Sequence, residues 1–161
     1  MSKNDGDDLA KVIRQLCKEK NAIIMAHYYT RPEIQEVADF IGDSLALAQK
    51  ATQVKADIIV MCGVHFMGET MKILCPDKKV LIPDMAAGCS LADSCKASDL
   101  AYFKAEHPGY MVVSYVNTSA DVKALTDVVV TSSNAKKIVD QLPEDAKIIF
   151  GPDKNLGNYI N

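Results

Sequence analysis

Apolar positions alternate between two rhythms along the chain. Residues 9–20 place Leu9, Val12, Ile13 and Leu16 at the spacing of one helix face. Asn21 then breaks the pattern, and Ala22-Ile23-Ile24-Met25-Ala26 is apolar without interruption. Such a run predicts a strand buried on both faces, as in a parallel sheet covered by helices. Further strands are expected at 57–62, 79–82, 110–115, 127–130 and 147–150. Helices are expected at 37–41, 45–51, 66–74, 97–106, 119–124 and 134–142. Pro32 suits the first turn of another helix, and Gly42-Asp43-Ser44 reads as a break and cap. Six strand-then-helix units predict an α/β fold with three-layer α-β-α domains and short parallel sheets. Two sets of three look alike, so pseudo-symmetric repeat domains are expected at 1–94 and 95–161.

Composition narrows the function classes. With 161 residues, 48% of them apolar and 24% charged, the chain is long enough for a real core. A net charge of −3 and no basic cluster argue against a nucleic-acid partner. The longest apolar runs, such as Ile58-Ile59-Val60-Met61-Cys62, are too short to span a membrane. The acidic start, Met1-Ser2-Lys3-Asn4-Asp5-Gly6-Asp7-Asp8, has no signal-peptide core, so a cytoplasmic protein is expected. Five cysteines, an odd number, then read as reduced thiols rather than a disulfide framework. Cys17 and Cys62 read as small buried hydrophobes, and Cys75, beside Pro76-Asp77, as a turn residue.

Candidate chemistry gathers where strands end. There the sequence places His27, Tyr29, His65, Cys89, Tyr115, Asn117, Thr131 and Ser132. In α/β sheets the carboxyl ends of strands are where ligands bind. Cys89 stands out in Pro83-Asp84-Met85-Ala86-Ala87-Gly88-Cys89-Ser90, where Gly88 permits a tight turn and two alanines leave space. It is read as a ligand facing a pocket. The others keep plainer readings: a histidine after a strand is often a structural hydrogen-bonder, Tyr115 suits a core position with a wet hydroxyl, and Ser132-Ser133-Asn134 suits a helix cap. Several helix starts converging would neutralise a phosphate or dicarboxylate. Cys89 and Cys95 form C-x5-C, too loose for a zinc knuckle, and no nearby pair completes a tetrahedral site.

In order, the motifs His27-Tyr28-Tyr29, Pro32-Glu33-Ile34-Gln35, Gly42-Asp43-Ser44-Leu45 and Phe66-Met67-Gly68-Glu69-Thr70 resemble those of the quinolinate synthases. The resemblance continues through Cys89-Ser90-Leu91, Tyr115-Val116-Asn117-Thr118-Ser119, Thr131-Ser132-Ser133 and Gly151-Pro152-Asp153-Lys154-Asn155-Leu156-Gly157. It implies an enzyme of NAD biosynthesis that condenses iminoaspartate with dihydroxyacetone phosphate to give quinolinate, releasing phosphate and two waters. It also implies an oxygen-sensitive [4Fe–4S] cluster held by three cysteines, one from each of three pseudo-symmetric domains, with the open iron acting as a Lewis acid. Cys89 matches the first of these cysteines; Cys95 matches no ligand position. By the same resemblance, His27 and Ser44 hold the iminoaspartate carboxylates, and Tyr115, Val116, Asn117 and Ser132 form the second domain's anion-binding set. Tyr29 matches a tyrosine implicated in proton transfer, with His27 and Tyr115 as its catalytic companions. The implied functional partner is an L-aspartate oxidase or aspartate dehydrogenase supplying iminoaspartate.

The second and third cluster cysteines have no counterpart among these residues, nor do the family's downstream Glu and His. Three domains of about one hundred residues each would make family members roughly twice this length. The expectation is therefore a truncated chain, inactive alone and prone to self-association where a third domain would dock. Two alternatives stay open: a cluster-free domain binding a dicarboxylate or triose phosphate, and a thiol enzyme using Cys89 with His27 as base.

Overall fold

The computed structural model describes residues 3–161, with side chains from Asp8 onward. The chain divides into two compact units, one ending at Ala87 and the other running from Gly88 to Asn161. Among the described residues no helix is long and apolar enough to cross a membrane.

The first unit begins with α1 (Lys3–Glu19). Asn21 takes the left-handed conformation (φ 49°), which asparagine tolerates better than most residues, and this turns the chain into β1 (Ala22–His27). There follow α2 (Pro32–Val37), β2 (Phe40–Gly42), α3 (Ser44–Gln53), β3 (Ile58–Cys62), α4 (His65–Leu74) and β4 (Lys79–Leu81). The four strands form one parallel sheet in the order β2-β1-β3-β4. Its central strands bury Met25, Ala26, Ile59 and Met61, and the helices bury Leu47 and Ala51 of α3 and Met71 of α4. Burying each large side chain contributes about 1.5–3 kcal/mol. Gly68 of α4 carries no side chain for a reason of space: a Cβ there would lie 2.5 Å from Ile82 Cδ1.

The second unit contains α5 (Ser90–Asp93), α6 (Ala97–Glu106), β5 (Met111–Tyr115), α7 (Ala120–Lys123), β6 (Val128–Val130), α8 (Ala135–Val139), β7 (Ile148–Gly151) and α9 (Lys154–Ile160). Its parallel sheet has the order β6-β5-β7. Val113, Val130 and Ala135 form its buried centre, with Ile138, Leu142 and Phe150 packed around them.

The fold is α/β with two short parallel sheets, but residues 37–41 are not the expected helix. Helix α2 stops at Val37, and Phe40-Ile41-Gly42 pair with Met25-Ala26-His27 as β2. The cause is Asp39: its carboxylate accepts from the Ile24 N–H (2.8 Å) and its own N–H donates to the Ile24 carbonyl (2.9 Å). That reciprocal pair pulls the chain alongside β1, and an aromatic and a β-branched residue suit the pleat that follows. The first sheet therefore has four strands rather than three. One further helix, α5, lies where the sequence pattern suggested only loop.

Candidate functional site

In the first unit, β1 delivers His27 to the carboxyl end of the sheet, in register with Gly42. The imidazole is only 5% exposed and sits between the rings of Tyr28 and Tyr29, with centroids 4.3 and 3.7 Å away. The Tyr29 backbone N–H donates to His27 Nδ1 at 3.4 Å, so in the neutral ring the proton resides on Nε2. Burial pushes the His27 pKa below its ordinary value, and the Asp43 carboxylate only partly offsets this. Tyr29 is exposed, and its hydroxyl lies 3.7 Å from Met67 Sδ. Ser44 opens α3, directly after Asp43, whose side chain caps that helix by accepting from Ala46 N–H (2.7 Å). His65 opens α4, with Nδ1 3.9 Å from Glu69 Oε1.

In the second unit, Tyr115 ends β5 in register with Val130. Val116 is buried, and its N–H donates to the Val130 carbonyl at 2.8 Å. The Asn117 side-chain amide donates to Cys89 Sγ at 3.7 Å, which brings the proposed ligand and a proposed substrate-binding residue together in one unit. Cys89 itself precedes α5 and makes no side-chain cap to it. Ser132 is exposed, between Thr131 and Ser133, whose hydroxyls lie 2.9 Å apart. Thr131 N–H donates to Asn134 Oδ1 at 2.7 Å, closing the turn that leads into α8.

These two sets occupy equivalent places in a repeated frame. The pairs Met25–Phe40, Ala26–Ile41 and His27–Gly42 in the first sheet match Val113–Val128, Ser114–Val129 and Tyr115–Val130 in the second. Asp39 bridges to Ile24 across 15 residues, and Asp127 bridges to Val112 across 15 residues. The Thr30 hydroxyl donates to the His27 carbonyl (2.8 Å) and the Thr118 hydroxyl to the Tyr115 carbonyl (3.3 Å). His27 thus corresponds to Tyr115, Tyr29 to Asn117, and Ser44 to Ser132. The frame is shared, and the chemistry mounted on it differs.

Sequence reasoning missed the side chains that hold these strand ends in place. Asp39 and Asp127 staple the starts of the paired strands, while Gln35 and Lys123 reach the backbone beyond β1 and β5. The equal spacing of Asp39 from Ile24 and Asp127 from Val112 was the signal available.

Among the described residues no three His, Cys, Asp or Glu side chains come together to hold a metal ion. Cys62 is half-buried at the end of β3, Cys75 is buried at the end of α4, and Cys17 and Cys95 are half-buried. Burial raises the pKa of Cys62, Cys17 and Cys95, and Asp39 and Asp99 add to the effect at the last two. One thiol with an amide donor does not hold a four-iron cluster, whose usual ligand set is several thiolates. These residues alone do not fit that group.

A family model described as "Quinolinate synthetase A protein" matches residues 11–161. A quinolinate synthase of Rippkaea orientalis (strain PCC 8801 / RF-1) is 60% identical over 154 residues, covering 96% of this chain and 47% of that protein. One of Nostoc punctiforme (strain ATCC 29133 / PCC 73102) is 61% identical over 153 residues, covering 95% of this chain and 47% of the relative. One of Thermosynechococcus vestitus (strain NIES-2133 / IAM M-273 / BP-1) is 60% identical over 153 residues, with 95% and 48% covered. The chain spans about half the length of the curated relatives it matches. On the match across residues 11–161, the chain belongs to the quinolinate synthetase A family.

Proposed function

We propose that this chain forms part of a quinolinate synthase acting in the cytoplasm, in de novo NAD biosynthesis. The reaction condenses iminoaspartate with dihydroxyacetone phosphate to quinolinate, with release of phosphate and two waters. Iminoaspartate is unstable in water, which fits supply by a partner L-aspartate oxidase or aspartate dehydrogenase. The observation that carries the reading is the pair of equivalent strand-end sets, His27, Tyr29 and Ser44 against Tyr115, Asn117 and Ser132, inside a family match over nearly the whole chain.

Each role follows from the chemistry of the group. Neutral His27, with Nδ1 occupied by the Tyr29 N–H, presents Nε2–H as a donor to a carboxylate. The hydroxyl of Tyr29 passes protons during isomerisation and ring closure. Ser44 and Ser132 offer hydroxyl donors to anionic oxygens. Tyr115 and Asn117 add a phenol and an amide at the second strand end, and buried Val116 holds the backbone between them.

The family's [4Fe–4S] cluster supplies Lewis-acid chemistry when bound. In this reading Cys89 contributes one thiolate and the other ligands come from outside the described residues. The test is iron and acid-labile sulfide per chain in anaerobically purified native-length protein, beside Cys89→Ala. About four of each in the wild type, lost in the variant, is the expected outcome. Cluster retained in Cys89→Ala would remove Cys89 from the ligand set, and no quinolinate formed from the two substrates by cluster-loaded protein would overturn the activity. The lack of a three-donor group among the described residues favours one second reading: a cluster-free domain that binds a dicarboxylate or triose phosphate. Binding of either without iron, in protein that never loads iron, would select it.

A further inference from the structure

We propose that Gln35 and Lys123 are matched positioning residues, each fixing the strand-end backbone on which the substrate-binding side chains are mounted; the inference rests on the reading under Proposed function. Gln35 lies in α2, and its Nε2 donates to the carbonyls of Tyr28 (2.9 Å) and Thr30 (2.7 Å). Lys123 ends α7, and its Nζ donates to the carbonyls of Val116 (2.9 Å) and Thr118. The sequence separations are identical in the two units, seven and five residues in each case. Tyr28 and Val116 are equivalent in the sheet register, as are Thr30 and Thr118. Two different side chains therefore make one contact pattern in two repeats, which marks the contact as what the frame requires.

The physical need is clear. A strand that ends in a functional loop leaves carbonyls pointing away from the sheet ladder; the bonds to Thr30, Val116 and Thr118 are part-buried, where a carbonyl needs a donor. Between the two clamped carbonyls lies a single residue, Tyr29 in one unit and Asn117 in the other. Fixing the Tyr28 and Val116 carbonyls fixes the peptide plane that leads into that side chain, and fixing the Thr30 and Thr118 carbonyls pins the backbone just beyond it. The neighbouring residues His27 and Tyr115 are held by the same loop through the Thr30 and Thr118 hydroxyls. Neither Gln35 nor Lys123 is required to touch substrate for this role. Lys123 also bonds the Thr118 hydroxyl at 3.2 Å, a third use of its ammonium that Gln35 has no hydrogen to match.

The repeat itself supplies the diagnostic substitution. Lys123→Gln installs the donor found at the equivalent position of the other unit, whereas Lys123→Met keeps the length and removes every donor. In native-length protein, amide hydrogen exchange across residues 115–119 is expected to quicken about tenfold or more in Lys123→Met and to stay near wild type in Lys123→Gln. Titration with quinolinate is expected to show affinity reduced about tenfold to a hundredfold in Lys123→Met, the scale of a small misplacement in a binding constellation. Lys123→Gln should recover most of it. Gln35→Leu should quicken exchange across 28–30 instead, and serves if Lys123→Met does not fold. Unchanged exchange in both donor-free variants, or no recovery in Lys123→Gln, would overturn the positioning role. Wild-type protein that fails to bind quinolinate while the exchange pattern appears as expected would overturn the functional reading and leave the clamps standing.

Discussion

Ile24 and Asp39 exchange two hydrogen bonds, one from the Ile24 N–H to the Asp39 carboxylate at 2.8 Å and one from the Asp39 N–H to the Ile24 carbonyl at 2.9 Å. Val112 and Asp127 do the same at 2.7 and 2.9 Å. Each aspartate sits immediately before or within one residue of an edge strand and sets its register against the central one. Asp39→Ala and Asp127→Ala are each expected to cost about 1–3 kcal/mol, because a part-buried strand N–H loses its acceptor. Asp39→Asn, which keeps an oxygen in place, should cost less. Urea unfolding midpoints of the variants check this.

Acidification should destabilise the first unit through His27. Burial lowers its pKa in the folded chain, so the unfolded chain binds more protons than the folded one between the two values. Stability from this group is therefore complete above the ordinary histidine pKa and falls as pH drops through that value toward the lowered one. His27→Gln should flatten this part of the stability curve. Asp43→Asn removes the carboxylate that favours the charged ring and should move the His27 titration, followed by NMR, further down.

Thiol labelling should separate the cysteines by environment. Burial pushes Cys62, Cys17 and Cys95 above the usual thiol range, and the thiolate is the nucleophile. Iodoacetamide at neutral pH should modify these three more slowly than an unfolded control, with rates still climbing where a free thiol has levelled off. Peptide mass spectrometry across a pH series reads the result.

Helix α9 depends on its cap. Asp153 Oδ1 accepts from the N–H groups of Asn155 (2.9 Å) and Leu156 (3.0 Å). Asp153→Ala should cost about 0.5–2 kcal/mol, and Asp153→Ser should recover much of that in thermal unfolding.

The parts legible in the sequence were those fixed by burial. The strands around Met25 and Val113 read as continuous apolar runs because consecutive residues there are buried, Met25 with Ala26 and Val112 with Val113. Strand β2 stayed hidden because its three residues continue an apolar spacing that equally suits a helix, and the deciding group is a carboxylate bonding to backbone. His27 and Asn117 were legible as polar residues at strand ends, whereas Cys89 lies well past β4, directly before α5. Their supports, Gln35 and Lys123, were not, since a bond to a carbonyl carbon's oxygen leaves no partner side chain to find in the sequence. Only the repeated separations of seven and five residues betray them.

Gly68 and Gly157 sit at the same step of the helix that follows β3 and β7, and both face a side chain at close range. A Cβ on Gly68 would meet Ile82 at 2.5 Å, and one on Gly157 would meet Phe150 at 3.0 Å. At both positions the facing side chain occupies the space that a β-carbon would need. Adding one methyl would not simply crowd the interior. It would turn the Ile82 side chain out of its place against the one helix, and press the Phe150 ring back from the other.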